Sequence, residues 1–174
     1  MDISQEFKDK LEYVKTRVGS YPDFPKPGIL FRDIFSVYRD QKAVINLNEV
    51  MKHCSNQAIK RGVQAVAALE CRGFLFGPQL ALDMGVPFVP IRKGGKLPGK
   101  IVSVEYELEY GKDTFEVQED SLLPGKKFLI VDDLLATGVG LNLVDCATTC
   151  KTTNTCDCAL SKLLVISLKK WVEK

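Results

Sequence analysis

Histidine is nearly absent from this chain of 174 residues: His53 stands alone, beside one tryptophan and three methionines in the whole sequence. A lone imidazole argues against a histidine-rich metal centre or a nucleophile–histidine relay. Its place in a helical pattern next to Lys52 suits a surface or boundary residue. Charge of one sign is missing too. There are 24 basic and 22 acidic residues, a net charge of +2, so no global field draws the chain to nucleic acid or an anionic membrane. No apolar run approaches the ~20 residues that span a bilayer. The opening MDISQEFKDKLEYV lacks the apolar core of a secretory leader. The expected setting is therefore a reducing cytoplasm, where Cys54, Cys71, Cys146, Cys150, Cys156 and Cys158 remain thiols. Four of them fall in residues 146–158 as C-x3-C-x5-C-x-C, which is not a zinc spacing, so small buried thiols are expected there rather than a metal.

What is present is globular: 45% hydrophobic and 26% charged residues, at a length that suits one domain (1–174) without staples. Ile3, Phe7, Leu11, Val14 and Val18 recur at helical steps, with Asp2 as the expected N-cap and Gly19 as the stop. YPDFPKPG, residues 21–28, reads as a stiff extended loop. A second helix is expected from Asp40 to Arg61, with Val44, Leu47, Val50, Cys54 and Ala58 inward and Gly62 at its end. VQAVAAL (63–69), VPFVPI and KFLIVDDLL (127–135) read as buried strands, and FLFGPQLALDM as a helix closed by Gly85. Residues 102–110 alternate strictly, and Gly111-Lys112-Asp113 followed by TFEVQ reads as a hairpin return. A helix is expected near Leu141 and a last strand within 158–168. Buried strands alternating with helices predict an α/β, Rossmann-like three-layer sandwich with a mostly parallel sheet and one antiparallel appendage.

In such sheets ligands bind beyond the carboxyl ends of the strands. Three of these ends are chemically unusual: Glu70-Cys71-Arg72-Gly73, Arg92-Lys93-Gly94-Gly95-Lys96, and Asp132-Asp133 leading to Ala136-Thr137-Gly138. A small-residue turn at a helix start is an anion site, because free amides and the helix dipole point at one spot. Adjacent carboxylates suit paired sugar hydroxyls, and the glycine-flanked basic loop suits a polyanion. Together they imply a sugar carrying phosphate at both ends. Each motif alone also reads as a solvated loop, Phe31 as core and Glu109 as an exposed strand residue.

PDFPKPGILFRDI, ECRGFLFG, IRKGGKLPG, YELEYGKD and VDDLLATG follow one another in the order and at the spacing of the adenine phosphoribosyltransferases, which residues 20–138 resemble densely. VDDLLATG resembles the type I phosphoribosyltransferase signature. The resemblance implies the type I fold with a mobile flap at 96–118, and transfer of phosphoribosyl from 5-phosphoribosyl 1-pyrophosphate to adenine, giving AMP and pyrophosphate. It also implies a homodimer, and magnesium held mainly by substrate and water, with Asp132 the one protein group that could reach it. By the same resemblance, Leu30, Phe31 and Arg32 line the base pocket within the N-terminal 1–35 segment. Glu70, Cys71 and Arg72, with Arg92, Lys93 and Lys96, serve the pyrophosphate. Asp132 and Asp133 hold the ribose hydroxyls, and Ala136, Thr137, Gly138, Val139 and Gly140 cradle the 5-phosphate. Glu109 and Tyr110 close over the reaction centre, Glu109 accepting the N9 proton or stabilising the cationic sugar.

The sequence departs from the family at three points. Its phosphate loop commonly reads ATGGT, and here Val139 and Gly140 stand in the last two places. The absent threonine hydroxyl is worth about 1.5–3 kcal/mol to a charged ligand. Cys71 stands where serine is common, and CATTCKTTNTCDC in the divergent 141–174 segment holds five threonines, poor helix formers. These departures motivate an alternative, a weak or inactive paralogue that binds nucleotide or serves as a partner subunit.

Overall fold

The computed structural model describes residues 4–108, 111–122, 125–132 and 163–167. The chain forms two compact units, Met1–Cys54 with Trp171–Lys174, and Ser55–Lys170.

In the first unit, α1 (Gln5–Lys15) starts at Ser4, whose Oγ accepts from the Phe7 amide at 3.3 Å. The expected cap, Asp2, lies outside the described residues. The helix also stops four residues before Gly19. Thr16 turns its hydroxyl back onto the Tyr13 carbonyl, and the amides of Arg17 and Val18 bond three residues back, so Val18 leaves the helical face. Gly19 instead opens β1 (Gly19–Pro22), antiparallel to β2 (Leu30–Asp33). A side chain there would press on the Tyr21 ring at 3.2 Å and Ser36 Oγ at 3.3 Å. The proline-rich loop joins these strands. Asp23 Oδ1 accepts from the Gly28 amide at 2.7 Å, and the Phe24 amide donates to the Ile29 carbonyl.

Asp40 precedes α2 (Gln41–Lys60), its Oδ1 accepting from the amides of Lys42 and Ala43. Ala43, Leu47, Val50, Met51, Cys54 and Ala58 are buried along one stripe of that helix. Val44 is only half-buried, because the stripe runs one residue earlier, through Ala43.

The second unit is built on a six-stranded sheet: β3 (Ala65–Leu69), β4 (Phe88–Lys93), β5 (Ile101–Leu108), β6 (Gly111–Gln118), β7 (Phe128–Asp132) and β8 (Leu163–Ser167), in the order β5-β6-β4-β3-β7-β8. The pairs β3–β4, β3–β7 and β7–β8 are parallel, while β6 joins β4 and β5 antiparallel. Residues Ala65–Leu69 are buried throughout, as a central parallel strand requires. One core cluster gathers Ala65, Ala67, Leu69, Val89, Ile91, Phe115, Val117, Leu122, Phe128 and Ile130.

Between β3 and β4 a short 3-10 turn (Arg72–Leu75) leads into α3 (Gly77–Met84), closed by Gly85 at φ +64°. This helix begins later than FLFGPQLALDM suggests, because Pro78 fits the first helical turn. The β5–β6 ladder runs to Leu108↔Gly111, so Gly111-Lys112-Asp113 and TFEVQ form the returning strand of the expected antiparallel hairpin. Among the described residues no helix is long and apolar enough to cross a membrane.

Candidate active site at the strand ends

The sheet order reverses between β3 and β7. From β3 the chain moves to β4 on one side, and from β7 to β8 on the other. Such a switch point leaves a crevice beyond the carboxyl ends of the two central strands, because their connections depart in opposite directions. The register sets Leu69 beside Ile91 and Ala68 beside Val131. Glu70, Cys71 and Arg72 after β3, Arg92 and Lys93 ending β4, and Asp132 ending β7 therefore share one edge of the sheet.

Glu70 and Arg92 form a fork across that edge. Arg92 Nε donates to Glu70 Oε2 and Nη2 to Oε1, each at 3.1 Å, and the Lys93 amide adds a bond to Oε2 at 3.2 Å. The guanidinium holds the Glu70 carboxyl below the usual glutamate value, with the Lys93 amide assisting. Glu70 in turn raises Arg92. The third Arg92 nitrogen, Nη1, donates to the Lys96 carbonyl at 3.0 Å, so this arginine spans the basic loop from entry to exit. Cys71 follows a cis Glu70–Cys71 peptide and is an exposed free thiol. Arg72 is half-buried at the start of the 3-10 turn, and Asp132 is half-buried at the tip of β7.

Leu30, Phe31 and Arg32 lie on β2 of the first unit. Leu30 is exposed, and Phe31 meets the Phe24 ring edge-on at 5.1 Å, half-buried rather than core. Arg32 Nη1 donates to Ser20 Oγ across the hairpin. Glu109, Tyr110, Asp133 and Ala136 through Gly140 lie outside the described residues, as do the helix expected at Leu141 and the four cysteines of 146–158. Of the other two, Cys54 is buried and its thiol is pushed up to about 11 by burial, while Cys71 is exposed. His53 packs against Phe7 at 4.7 Å between ring centres, a half-buried boundary position.

Sequence reasoning passed over Glu116. Its place in TFEVQ, between inward Phe115 and Val117, reads as solvent-facing, yet it is 7% exposed and accepts from the Gly95 amide at 2.9 Å. No sequence pattern marks it; the structure sets it opposite Arg92, at the root of the basic loop. A shallow depression of about 410 Å³ at the open end of the β5–β6 hairpin is lined by Pro98, Gly99, Lys100, Gln118, Glu119 and Asp120, and includes none of the residues singled out above.

Comparison with known proteins identifies the family of this fold. The Phosphoribosyl transferase domain family matches residues 35–145. Adenine phosphoribosyltransferase of Drosophila pseudoobscura pseudoobscura is 53% identical over 134 residues, 77% of this chain and 74% of the relative. The crystal structure of adenine phosphoribosyltransferase from Saccharomyces cerevisiae, complexed with D-2,5-dideoxy-2,5-imino-altritol 1,6-bisphosphate and adenine, superposes with a TM-score of 0.74 at 39% identity, covering 81% of this chain and 83% of that one. The Thermoanaerobacter pseudethanolicus enzyme gives 0.71 at 39%, covering 91% and 98%. With the type I fold and this degree of identity, the chain belongs to the adenine phosphoribosyltransferases of the phosphoribosyltransferase family.

Proposed function

We propose that the chain transfers the 5-phosphoribosyl group from 5-phosphoribosyl 1-pyrophosphate to adenine, releasing AMP and pyrophosphate in purine salvage. The observation that carries this is the gathering of Glu70, Arg72, Arg92, Lys93 and Asp132 at the switch-point edge of a type I sheet. Arg72, Lys93 and Lys96 face the leaving pyrophosphate, and Arg92 contributes charge while bracing their loop. Asp132 and Asp133 accept from the ribose hydroxyls, and Ala136, Thr137, Gly138, Val139 and Gly140 surround the 5-phosphate. Leu30, Phe31 and Arg32 receive the base, Phe31 by stacking.

In the reaction N9 of adenine bonds to C1 of the ribose as the C1–O bond to pyrophosphate breaks. Glu109 takes the N9 proton or supports the cationic sugar. Tyr110 and the 96–118 hairpin exclude water that would otherwise hydrolyse the donor.

Among the described residues, magnesium fits a substrate-held mode. Both Glu70 oxygens are engaged by Arg92, and among the described residues no three histidine, cysteine or acidic side chains group around a point. Asp132 offers an oxygen ligand to a hard cation that keeps most of its water and phosphate ligands. When bound to the donor, magnesium supplies neutralisation of the pyrophosphate charge.

The 174 residues act as one phosphoribosyltransferase domain in a cytoplasmic homodimer. The pairing is supported by Tyr21, Phe24, Ile29 and Phe35 of the first unit, large apolar side chains left exposed in the single chain. The deciding experiment is steady-state assay of pure, folded protein with adenine and the magnesium–donor complex. AMP formation is expected. Its complete absence would leave the inactive-paralogue reading, which rests on Val139 and Gly140.

A further inference from the structure

The basic loop after β4 has its own amides turned inward. The Lys93 amide donates to Glu70 Oε2 at 3.2 Å, the Gly94 amide to the Thr114 carbonyl at 2.9 Å, and the Gly95 amide to Glu116 Oε2 at 2.9 Å. With three successive amides committed, this stretch offers an anion no backbone nest. Charge here is met by side chains, and what matters is where the ammonium groups of Lys93 and Lys96 stand.

Two carboxylates set that position. Glu70 holds the entry through Arg92 and the Lys93 amide, and Arg92 holds the exit at the Lys96 carbonyl. Glu116, on β6, holds the turn itself. Its side chain is buried, and its bond meets Gly95 where the backbone is left-handed at φ +73°. Gly94 and Gly95 carry no side chain to pack, so hydrogen bonds hold this turn. Within 4 Å a Cβ on Gly95 would meet nothing, and the nearest atoms to one on Gly94 belong to Thr114 and Glu116.

We propose that Glu116 is a positioning residue for donor binding: through the Gly95 amide it fixes the turn that sets Lys93 and Lys96 toward the pyrophosphate. Glu116 itself touches no substrate. The proposal rests on the reading that this loop serves the pyrophosphate.

The test compares wild type with E116A, E116Q and E116D by steady-state kinetics, and by calorimetric titration with magnesium pyrophosphate. In E116A the donor KM and the pyrophosphate Kd both rise at least about tenfold, the loss expected when a buried charged acceptor leaves its amide unpaired. The adenine KM stays within about twofold. E116Q, whose amide oxygen can still accept, recovers most of the lost donor affinity. If E116A does not accumulate as folded protein, E116D carries the expectation instead, because withdrawing the carboxylate by one methylene weakens donor and pyrophosphate binding without removing charge. Unchanged donor KM and pyrophosphate Kd in E116A (or in E116D in its place), or an adenine KM that rises in step with the donor KM, would overturn the proposal. A wild-type protein that neither makes AMP nor binds pyrophosphate would instead sink the functional reading, and this proposal with it.

Discussion

Hydrogen atoms in place of methyl groups decide how the turn after β3 meets the sheet. A Cβ built on Gly73 would lie 2.5 Å from the Val131 carbonyl oxygen and 3.2 Å from Ala68 Cβ. One on Gly77 would lie 2.6 Å from the Phe88 ring and 2.7 Å from Ala68 Cβ. The alanines of β3 and these two glycines therefore let the segment that follows β3 lie directly on the strands, with Arg72 next to the contact. The obstacle at Gly73 is backbone, which cannot swing aside. Gly73→Ala should lower unfolding free energy by about 1–3 kcal/mol, as overpacking does, and by more than Gly77→Ala, whose nearest neighbour is a side chain. Urea melts check this, and a Gly73→Ala midpoint equal to wild type would contradict it. Residue chemistry also governs the segment proposed to hold the 5-phosphate, where the family's threonine is Gly140. Val139→Gly with Gly140→Thr restores the common spelling and one hydroxyl donor. Donor affinity, read by titration, should tighten at least about tenfold.

At the scale of elements, one side chain ties two helices together. Asp40 Oδ1 caps α2 through the amides of Lys42 and Ala43, while Oδ2 accepts from Arg17 Nε at 2.7 Å and from the Tyr13 hydroxyl at 3.0 Å on α1 and its exit. Lys42 and Arg17 both lie over the Tyr13 ring. Asp40→Asn retains a capping oxygen and loses the ion pair, whereas Asp40→Ala loses both. Melting temperatures should fall in the order wild type, Asn, Ala, with the alanine variant lower by about 2–4 °C. Equal melting of Asn and Ala variants would show the cap to be idle.

The same elements show what a sequence reveals. Ala65–Leu69 and Phe128–Asp132 were legible because apolar runs too short for a helix, bounded by glycine or charge, suit a strand buried on both faces. The strand-end motifs were legible because their chemistry has no use in a core. The start of α1 was not, since Asp2 and Ser4 can both cap and periodicity does not choose between them. Gly19 misled for a related reason: a glycine after a helical pattern usually ends it, but here Thr16 had done so already and Gly19 is needed for close packing on Tyr21 and Ser36. Glu116 escaped because alternation predicts which face a strand residue takes. It does not show that a neighbouring loop folds over that face.

At the scale of the whole molecule, a few groups with shifted acidities make stability depend on pH. Arg17 lowers the Asp40 carboxyl from its ordinary 3.8, and Arg92 lowers Glu70 from 4.5. A depressed acid stabilises the fold above its unfolded value, and that stabilisation is lost as pH falls through the folded one. The acid limb therefore begins below about pH 4.5. Cys54 shapes the other side. Burial raises its thiol from 9.0 to about 11, so its contribution is complete below pH 9 and disappears as pH climbs toward 11. For a side chain only 6% exposed, a rise from 9.0 to about 11 corresponds to about 3 kcal/mol. The Tyr38 phenol, raised to about 12 by partial burial, acts later, above its ordinary 10. Cys54→Ala lowers stability by a cavity term that does not vary with pH, so the informative quantity is slope. Between pH 9 and 11 the wild-type unfolding free energy should fall more steeply than that of Cys54→Ala, the two curves converging by about 2 kcal/mol, while below pH 8 they run parallel. Parallel curves across the alkaline range, measured by urea melts at each pH, would mean that the thiol ionises without leaving its place in α2.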